Sequence, residues 1–328
     1  MGCNHGAGGR IRRLAEDRGL VVRDSSYAMR KAYAGQDLCS IGEVTARRSP
    51  AIKAGASYAL PEDKDGVQPD SLSDLGAYVY TPPPIVAVGG VVDPWTSASG
   101  LAPGSWITIY GKNFGVTSAS WNPVPGGPLP TSLGGVGVQV SGLPAALSFI
   151  NATQINALVP AAVAPGLAQV IVSKNGVAAN PVVVSVDPQR PVVYAVMDPE
   201  HIGNYYVTAA LAGTSDLIGK PGIDPRVARG ARPGESIDFY LTGLGATADP
   251  SAFVTDQLFT SAAPVAATVT IQLGSQKIAP SFAGLTAPGL YLVRAVIPAS
   301  IAPGDQLIQF DANGFLSPGQ VYLTISPL

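Results

Sequence analysis

Pro103-Gly104-Ser105-Trp106-Ile107-Thr108-Ile109-Tyr110-Gly111-Lys112-Asn113-Phe114-Gly115 decides the architecture of this chain, because a second version of it follows. That version is Pro233-Gly234-Glu235-Ser236-Ile237-Asp238-Phe239-Tyr240-Leu241-Thr242-Gly243-Leu244-Gly245. Later landmarks recur in the same order. Val159-Pro160, Ala164-Pro165-Gly166 and Asn175-Gly176 return as Ile297-Pro298, Ala302-Pro303-Gly304 and Asn313-Gly314, all displaced by one interval. A repeat of this length marks two copies of one domain rather than a short-unit solenoid.

Aligning the copies assigns faces. The period is two: Ile107 and Ile109 correspond to Ile237 and Phe239 and are expected in cores. Trp106, Thr108 and Tyr110 correspond to Ser236, Asp238 and Tyr240 and are expected to face out. Val138-Gln139-Val140 matches Ile271-Gln272-Leu273, and Ile155, Ala157 and Val159 match Val293, Ala295 and Ile297. Asn175-Gly176, between Gln169–Val172 and Val182–Val184, is a hairpin-turn signal that Asn313-Gly314 repeats. About seven short strands per copy predict an all-β chain of two immunoglobulin-like sandwiches, without the Cys–Trp–Cys core of an antibody domain. The copies diverge in the loops after Gly115 and Gly245, where any specific binding is expected.

Composition narrows the class. The chain has 328 residues with 13% charged, a formal net charge of −2 and 46% hydrophobic. Low charge with abundant Val, Thr, Ser, Gly and Pro fits secreted all-β modules. No Lys/Arg stripe is present in the repeats, which argues against nucleic acid as a partner. No stretch approaches the roughly 20 apolar residues of a membrane helix. Met1–Leu20 is Gly- and Arg-rich without the apolar region of a signal peptide. Composition therefore points outside the cell while this start does not, and the natural polypeptide is expected to extend upstream of Met1. Cys3 and Cys39 fit a disulfide or two unrelated thiols equally.

Ala102-Pro103-Gly104-Ser105-Trp106-Ile107-Thr108-Ile109-Tyr110-Gly111-Lys112-Asn113-Phe114-Gly115 resembles the opening strand and turn of an IPT/TIG domain. Leu129–Val136, Ala152–Pro160, Pro233-Gly234-Glu235 and Thr242–Gly245 extend the likeness over residues 97 to 326. That span resembles a tandem C-terminal module of secreted bacterial proteins, the Solibacter-type C-terminal domain. The resemblance implies an extracellular or cell-surface appendage. A second resemblance lies upstream. Ser49-Pro50-Ala51-Ile52-Lys53-Ala54-Gly55, Asp63-Lys64-Asp65-Gly66 and Ser73-Asp74-Leu75-Gly76-Ala77-Tyr78-Val79-Tyr80 are similar to the closing turns of right-handed parallel β-helix proteins. It departs from their pattern at Lys53 and Val79. So short a piece would be a remnant or cap, since a β-helix needs several coils to bury its core.

The expected division is a poorly ordered segment 1–48, a β-helix-like cap 49–80, a proline linker 81–84, and sandwiches at 85–188 and 189–328. Thr81-Pro82-Pro83-Pro84 favours an extended spacer.

Little in the chain carries chemistry, so no catalytic residue, cofactor or metal site is assigned. His201, beside Glu200, could support acid/base work but lacks an orienting group and a nucleophile, and is read as a loop histidine. Asp63 and Asp65 offer oxygen ligands for Ca²⁺, or form a turn. Glu235 and Asp238 lie on opposite strand faces and cannot act as a glycosidase pair. The ligand-binding candidates are Trp106, Tyr110 and Trp121, as rings on which a sugar could stack. The alternative is that they pack on neighbouring loops or against the second sandwich.

The function expected is a non-catalytic extracellular spacer, adhesion or binding module for carbohydrate or a cell-surface protein. The alternative is the accessory tail of a polysaccharide-degrading β-helix enzyme whose catalytic region lies outside this chain.

Overall fold

Alternation of apolar and polar residues folds each copy into a pair of packed sheets. The computed structural model describes residues 82–115, 117–259 and 261–327. Segment 1–48 with Cys3 and Cys39, and the β-helix-like stretch 49–80 with Asp63 and Asp65, lie outside the described residues. Pro83–Leu328 forms one compact unit containing two immunoglobulin-like β-sandwiches in tandem. The one helix among the described residues is a 3-10 turn, Pro250–Ala252.

In the first sandwich, one sheet runs Ile85–Val92, Trp106–Lys112, Gln154–Leu158, Ala146–Ile150, Ala119–Ser120. The sheet facing it centres on Gly166–Lys174 paired with Val136–Val140 and Val182–Val186. In the second sandwich, Ser236–Thr242 pairs with Leu290–Val296, which pairs with Phe282–Ala287. The opposing sheet runs Ala195–Met197, Asn204–Val207, Gln320–Ile325, Gly304–Ala312, Val269–Leu273, Gln276–Ile278. Asn204–Val207 joins Gln320–Ile325 in parallel, unlike the other strand pairs of these sheets.

Each sandwich has its own core. Ile107, Ile109, Ile155, Ala157 and Val159 are buried in one; Ile237, Phe239, Val293, Ala295 and Ile297 are buried in the other. The faces therefore follow the two-residue period. Two outward positions depart from expectation: Thr108 and Asp238 are buried rather than solvent-facing. Both lie on central strands, flanked on each side by a neighbour that covers a short side chain, and both are bonded across the sheet. Thr108 Oγ1 donates to Asn156 Oδ1 (3.2 Å). Asp238 instead receives a two-pronged ion pair from Arg294, at 2.6 and 2.7 Å.

The Asn-Gly turns form as expected, with Asn175 and Asn313 at φ 48° and 54° and a positive-φ glycine after each. The strand after each turn is broken. Val177–Ala178 and Val182–Val186 both pair with Gly166–Lys174, with a register slip at Asn180-Pro181. Proline has no N–H to continue the ladder.

One backbone requirement is met by different chemistry in the two copies. The turn before the repeated strand leaves an N–H to be satisfied. Ala102 N donates to Ser105 Oγ in copy one, and Arg232 N donates to Glu235 Oε2 in copy two. The Arg229 guanidinium, bonded to Glu235 at 2.7 and 2.9 Å, holds that carboxyl below the usual range against the opposing effect of burial. Arg226 does the same for Asp224. Burial opposes the lowering at Asp305, where Lys220 and Thr324 prevail.

A carboxylate whose pKa is depressed by folding stabilises the native state above its unfolded pKa, and that stabilisation is lost as pH falls through the folded value. The second sandwich is therefore expected to lose stability below about pH 4, where its carboxylates take up protons. Glu235→Gln should flatten this dependence, and Ser105→Ala should leave it unchanged. Calorimetric melting between pH 7 and pH 2.5 checks both; an acid profile for Glu235→Gln identical to the wild type would contradict the assignment.

Candidate functional site

The two loops that differ most between the copies meet each other. Gly126 N donates to Leu258 O (2.9 Å), Leu258 N to Gly127 O (3.0 Å) and Leu129 N to Asp256 O (2.8 Å). Pro128 and Gln257 form the antiparallel bridge within this short ladder. Around it, Ala161 N donates to Thr255 Oγ1 (3.0 Å) and Tyr205 OH to Thr96 O (3.0 Å). Trp95 packs edge-on to Tyr194, with ring centroids 5.6 Å apart.

Trp106 is the wedge of this junction. It opens its strand opposite Leu158, which pairs on its other side with Ala146, so one end of the outward sheet face is apolar. Those residues form a small cluster with Leu129, Trp121 and, from the second sandwich, Leu258. The Trp106 backbone N–H donates to Thr242 Oγ1 (2.8 Å) and its indole Nε1–H to Pro288 O (2.9 Å). Trp121 meets its ring edge-on, at 5.4 Å and 88°. Gly289 and Gly104 let the surfaces close. A Cβ on Gly289 would lie 2.5 Å from Leu158 Cδ1 and 2.7 Å from the indole; one on Gly104 would lie 2.6 Å from the Phe253 ring.

The structure thus brings together two of the three aromatic residues singled out from sequence. Trp106 and Trp121 are partly buried in the junction, where an edge of each ring is already engaged. Tyr110 stands apart on the same strand face, about 13 Å along, and is 41% exposed. Opposite it, Gln154 Nε2 donates to Asn156 Oδ1 (2.9 Å).

His201 is 67% exposed on its side chain and lies 3.0 Å through Nδ1 from Asp198 Oδ2. The Glu200 N–H lowers the Asp198 pKa against burial, with His201 adding to the effect. Asp198, rather than Glu200, is the partner of the histidine. Among the described residues no group of three or more His, Cys, Asp or Glu could hold a metal ion.

Sequence reasoning missed a cluster on the far sheet of the second sandwich. Lys220 Nζ lies 2.5 Å from Asp305 Oδ2 and 4.4 Å from the centre of the Tyr206 ring, and Thr324 Oγ1 donates to Asp305 Oδ1 (2.7 Å). Its available signal was the period-two run Asp305, Gln309, Asp311, polar but for Leu307, beside Gln320, Tyr322, Thr324.

The model of the IPT/TIG domain family matches residues 92–187. That match falls within the first sandwich. Among solved structures, similar chains include SGBP-B of the Bacteroides ovatus mixed-linkage glucan utilization locus, in complex with a mixed-linkage heptasaccharide. It is 10% identical, with 81% of this chain and 52% of that chain covered and a TM-score of 0.31. The Escherichia coli adhesin FdeC is 13% identical over 74% of this chain and 66% of its own, with a TM-score of 0.23. Domains 5–6 of the S-layer protein SbsC are 13% identical over 74% and 99%, with a TM-score of 0.24. The chain spans about half the length of the first of these. No curated protein matches it.

The junction between the two sandwiches can be tested at Gly289. Gly289→Ala should destabilise the protein by about 1–3 kcal/mol through overpacking and red-shift tryptophan emission as water reaches the indoles. Gly234→Ala is the control: it shares a positive φ but has nothing within 4 Å of the added carbon. Equal effects of the two on melting and emission would show that backbone strain alone matters.

Proposed function

We propose that this chain is a non-catalytic structural and binding module of an extracellular or cell-surface protein, with sandwiches bounded at 85–188 and 189–328. It corresponds to the tandem Solibacter-type appendage its motifs resemble. The two sandwiches act as one stiff unit that spaces or presents neighbouring parts of a surface protein and offers its outer sheet faces to a carbohydrate or surface-protein partner.

The junction carries this reading. In many sandwiches, end loops are free to vary and bind; here the divergent loops are used to hold one sandwich to the other. A hydrogen-bonded ladder, an indole clasp and a second aromatic pair leave little freedom for hinge motion. The segment between the sandwiches is pinned too. Asp187 N donates to Leu101 O (2.9 Å), and Arg190 N to Gly243 O (2.7 Å). Of the aromatic candidates, Tyr110 is the one left to a ligand, while Trp106 and Trp121 serve the junction.

Stiffness is measurable. Spin labels at Val183→Cys and Leu316→Cys, both exposed and one on each sandwich, are placed in a chain whose Cys3 and Cys39 are replaced by serine. Dipolar spectroscopy should give one narrow distance distribution, and Trp106→Ala should broaden it. A broad distribution in the parent chain would overturn the spacer reading.

A further inference from the structure

The far sheet of the second sandwich carries a row of amides across neighbouring strands. Asn204 is paired with Gln320, Gln309 with Gln272, and Gln272 with Lys277. Leu307 is paired with Tyr322, and Tyr322 with Tyr206. Gln320 and Gln309 are each two residues beyond the paired Tyr322 and Leu307, where the ladder between their strands ends, and they stand between the outer members of the row. With strands about 4.8 Å apart, the four amides span about 14 Å, and the tyrosine row runs parallel to them about 7 Å away.

The amides, Tyr322 and Leu307 project outward, since the alternate residues Val321, Leu323, Ile308 and Phe310 are buried in the core, while Tyr206 is only 7% exposed, with Lys220 Nζ 4.4 Å over its ring. Gln320 and Gln272 are exposed, Gln309 and Asn204 partly so, and Leu307 is 50% exposed. Three of the amides are held at one end. Gln272 Nε2 donates to Gly274 O (2.9 Å) and Gln309 Nε2 to Ser317 O (3.4 Å), while Gln320 Oε1 accepts from Tyr322 OH (3.3 Å). Among the described residues the other end of each has no hydrogen bond within the chain, so the row has acceptors to offer at Gln272 and Gln309 and a donor at Gln320. Beside it the Tyr322 and Tyr206 rings lie 5.7 Å apart with planes 33° from parallel.

We infer that this face binds a neutral, linear polysaccharide. The inference rests on reading the chain as a binding module and names the ligand class and the surface. Sugar hydroxyls both donate and accept, which suits a row of mixed donors and acceptors. The C–H face of a pyranose suits the Tyr322 ring. Charge complementarity selects a neutral chain: Lys220 is paired with Asp305 at the edge of the face, and the other charges of these strands, Lys277 and Asp311, are one of each sign. A protein partner would want a contiguous apolar centre, whereas the exposed leucines of this face, Leu307 and Leu316, stand on either side of the amide row. Nucleic acid would want an uncompensated basic stripe.

Affinity electrophoresis of the full chain through gels containing galactomannan, xyloglucan or β-glucan, with polygalacturonate as the anionic control, tests the inference. At least one neutral polymer should retard the protein, with little change between low and high salt. Tyr322→Ala should weaken retardation about ten-fold, the size of one lost aromatic contact. Gln309→Ala and Gln272→Ala should weaken it as well, with melting temperatures near the wild type. Retardation by none of the neutral polymers, or by polygalacturonate alone, would overturn the inference, as would retardation that survives both Tyr322→Ala and Gln309→Ala. Loss with Tyr110→Ala but not Tyr322→Ala would move binding to the first sandwich, overturning this site while leaving the binding-module reading intact. The distance distribution between the two spin labels is independent of all these outcomes.

Discussion

The Trp106 indole has one N–H to donate, and it donates it across the junction to Pro288 O. A partly buried indole needs a partner for that group, so the side chain is satisfied only while the second sandwich is in place. The same holds for its backbone N–H, which is directed at Thr242. Domains of about a hundred residues bury a smaller fraction of their surface than larger ones. Joining two of them through an apolar wedge adds core that neither has alone. Leu158 and Ala146, which would otherwise face water, become interior residues.

Duplication preserved the backbone and let the side chains diverge. The turn before the repeated strand needs its N–H capped, and a serine and a glutamate do this equally well. The central cross-strand pair needs its polar groups satisfied, and Thr108–Asn156 and Asp238–Arg294 are two solutions. The neutral solutions fall in the first copy and the ionic ones in the second. Two sandwiches of one fold therefore answer differently to protons.

The fold was legible because it depends on short-range regularities. Alternation placed Ile107, Ile109, Ile237 and Phe239 inside, and the Asn-Gly pairs marked their turns. Burial of Thr108 and Asp238 was not legible, because it depends on which strands flank them, and strand order is a long-range property. Trp106 stood out as an aromatic residue its twin lacks, yet its partners Thr242, Leu258 and Pro288 lie far along the chain, so its setting could not be read. The amide row is hidden for the same reason: Asn204, Gln272, Gln309 and Gln320 become a line only once four strands are laid side by side.

The junction is head-to-tail, and contacts of that kind can in principle repeat without limit. Here the means of repetition is missing from the second copy. Ser236 stands where Trp106 would be, and Val296, where Leu158 would be, is 51% exposed with nothing docked on it. A third sandwich could not clasp the second as the second clasps the first. One indole replaced by a hydroxyl thus makes the clasp a property of the first copy's strand alone, although the two strands share one fold.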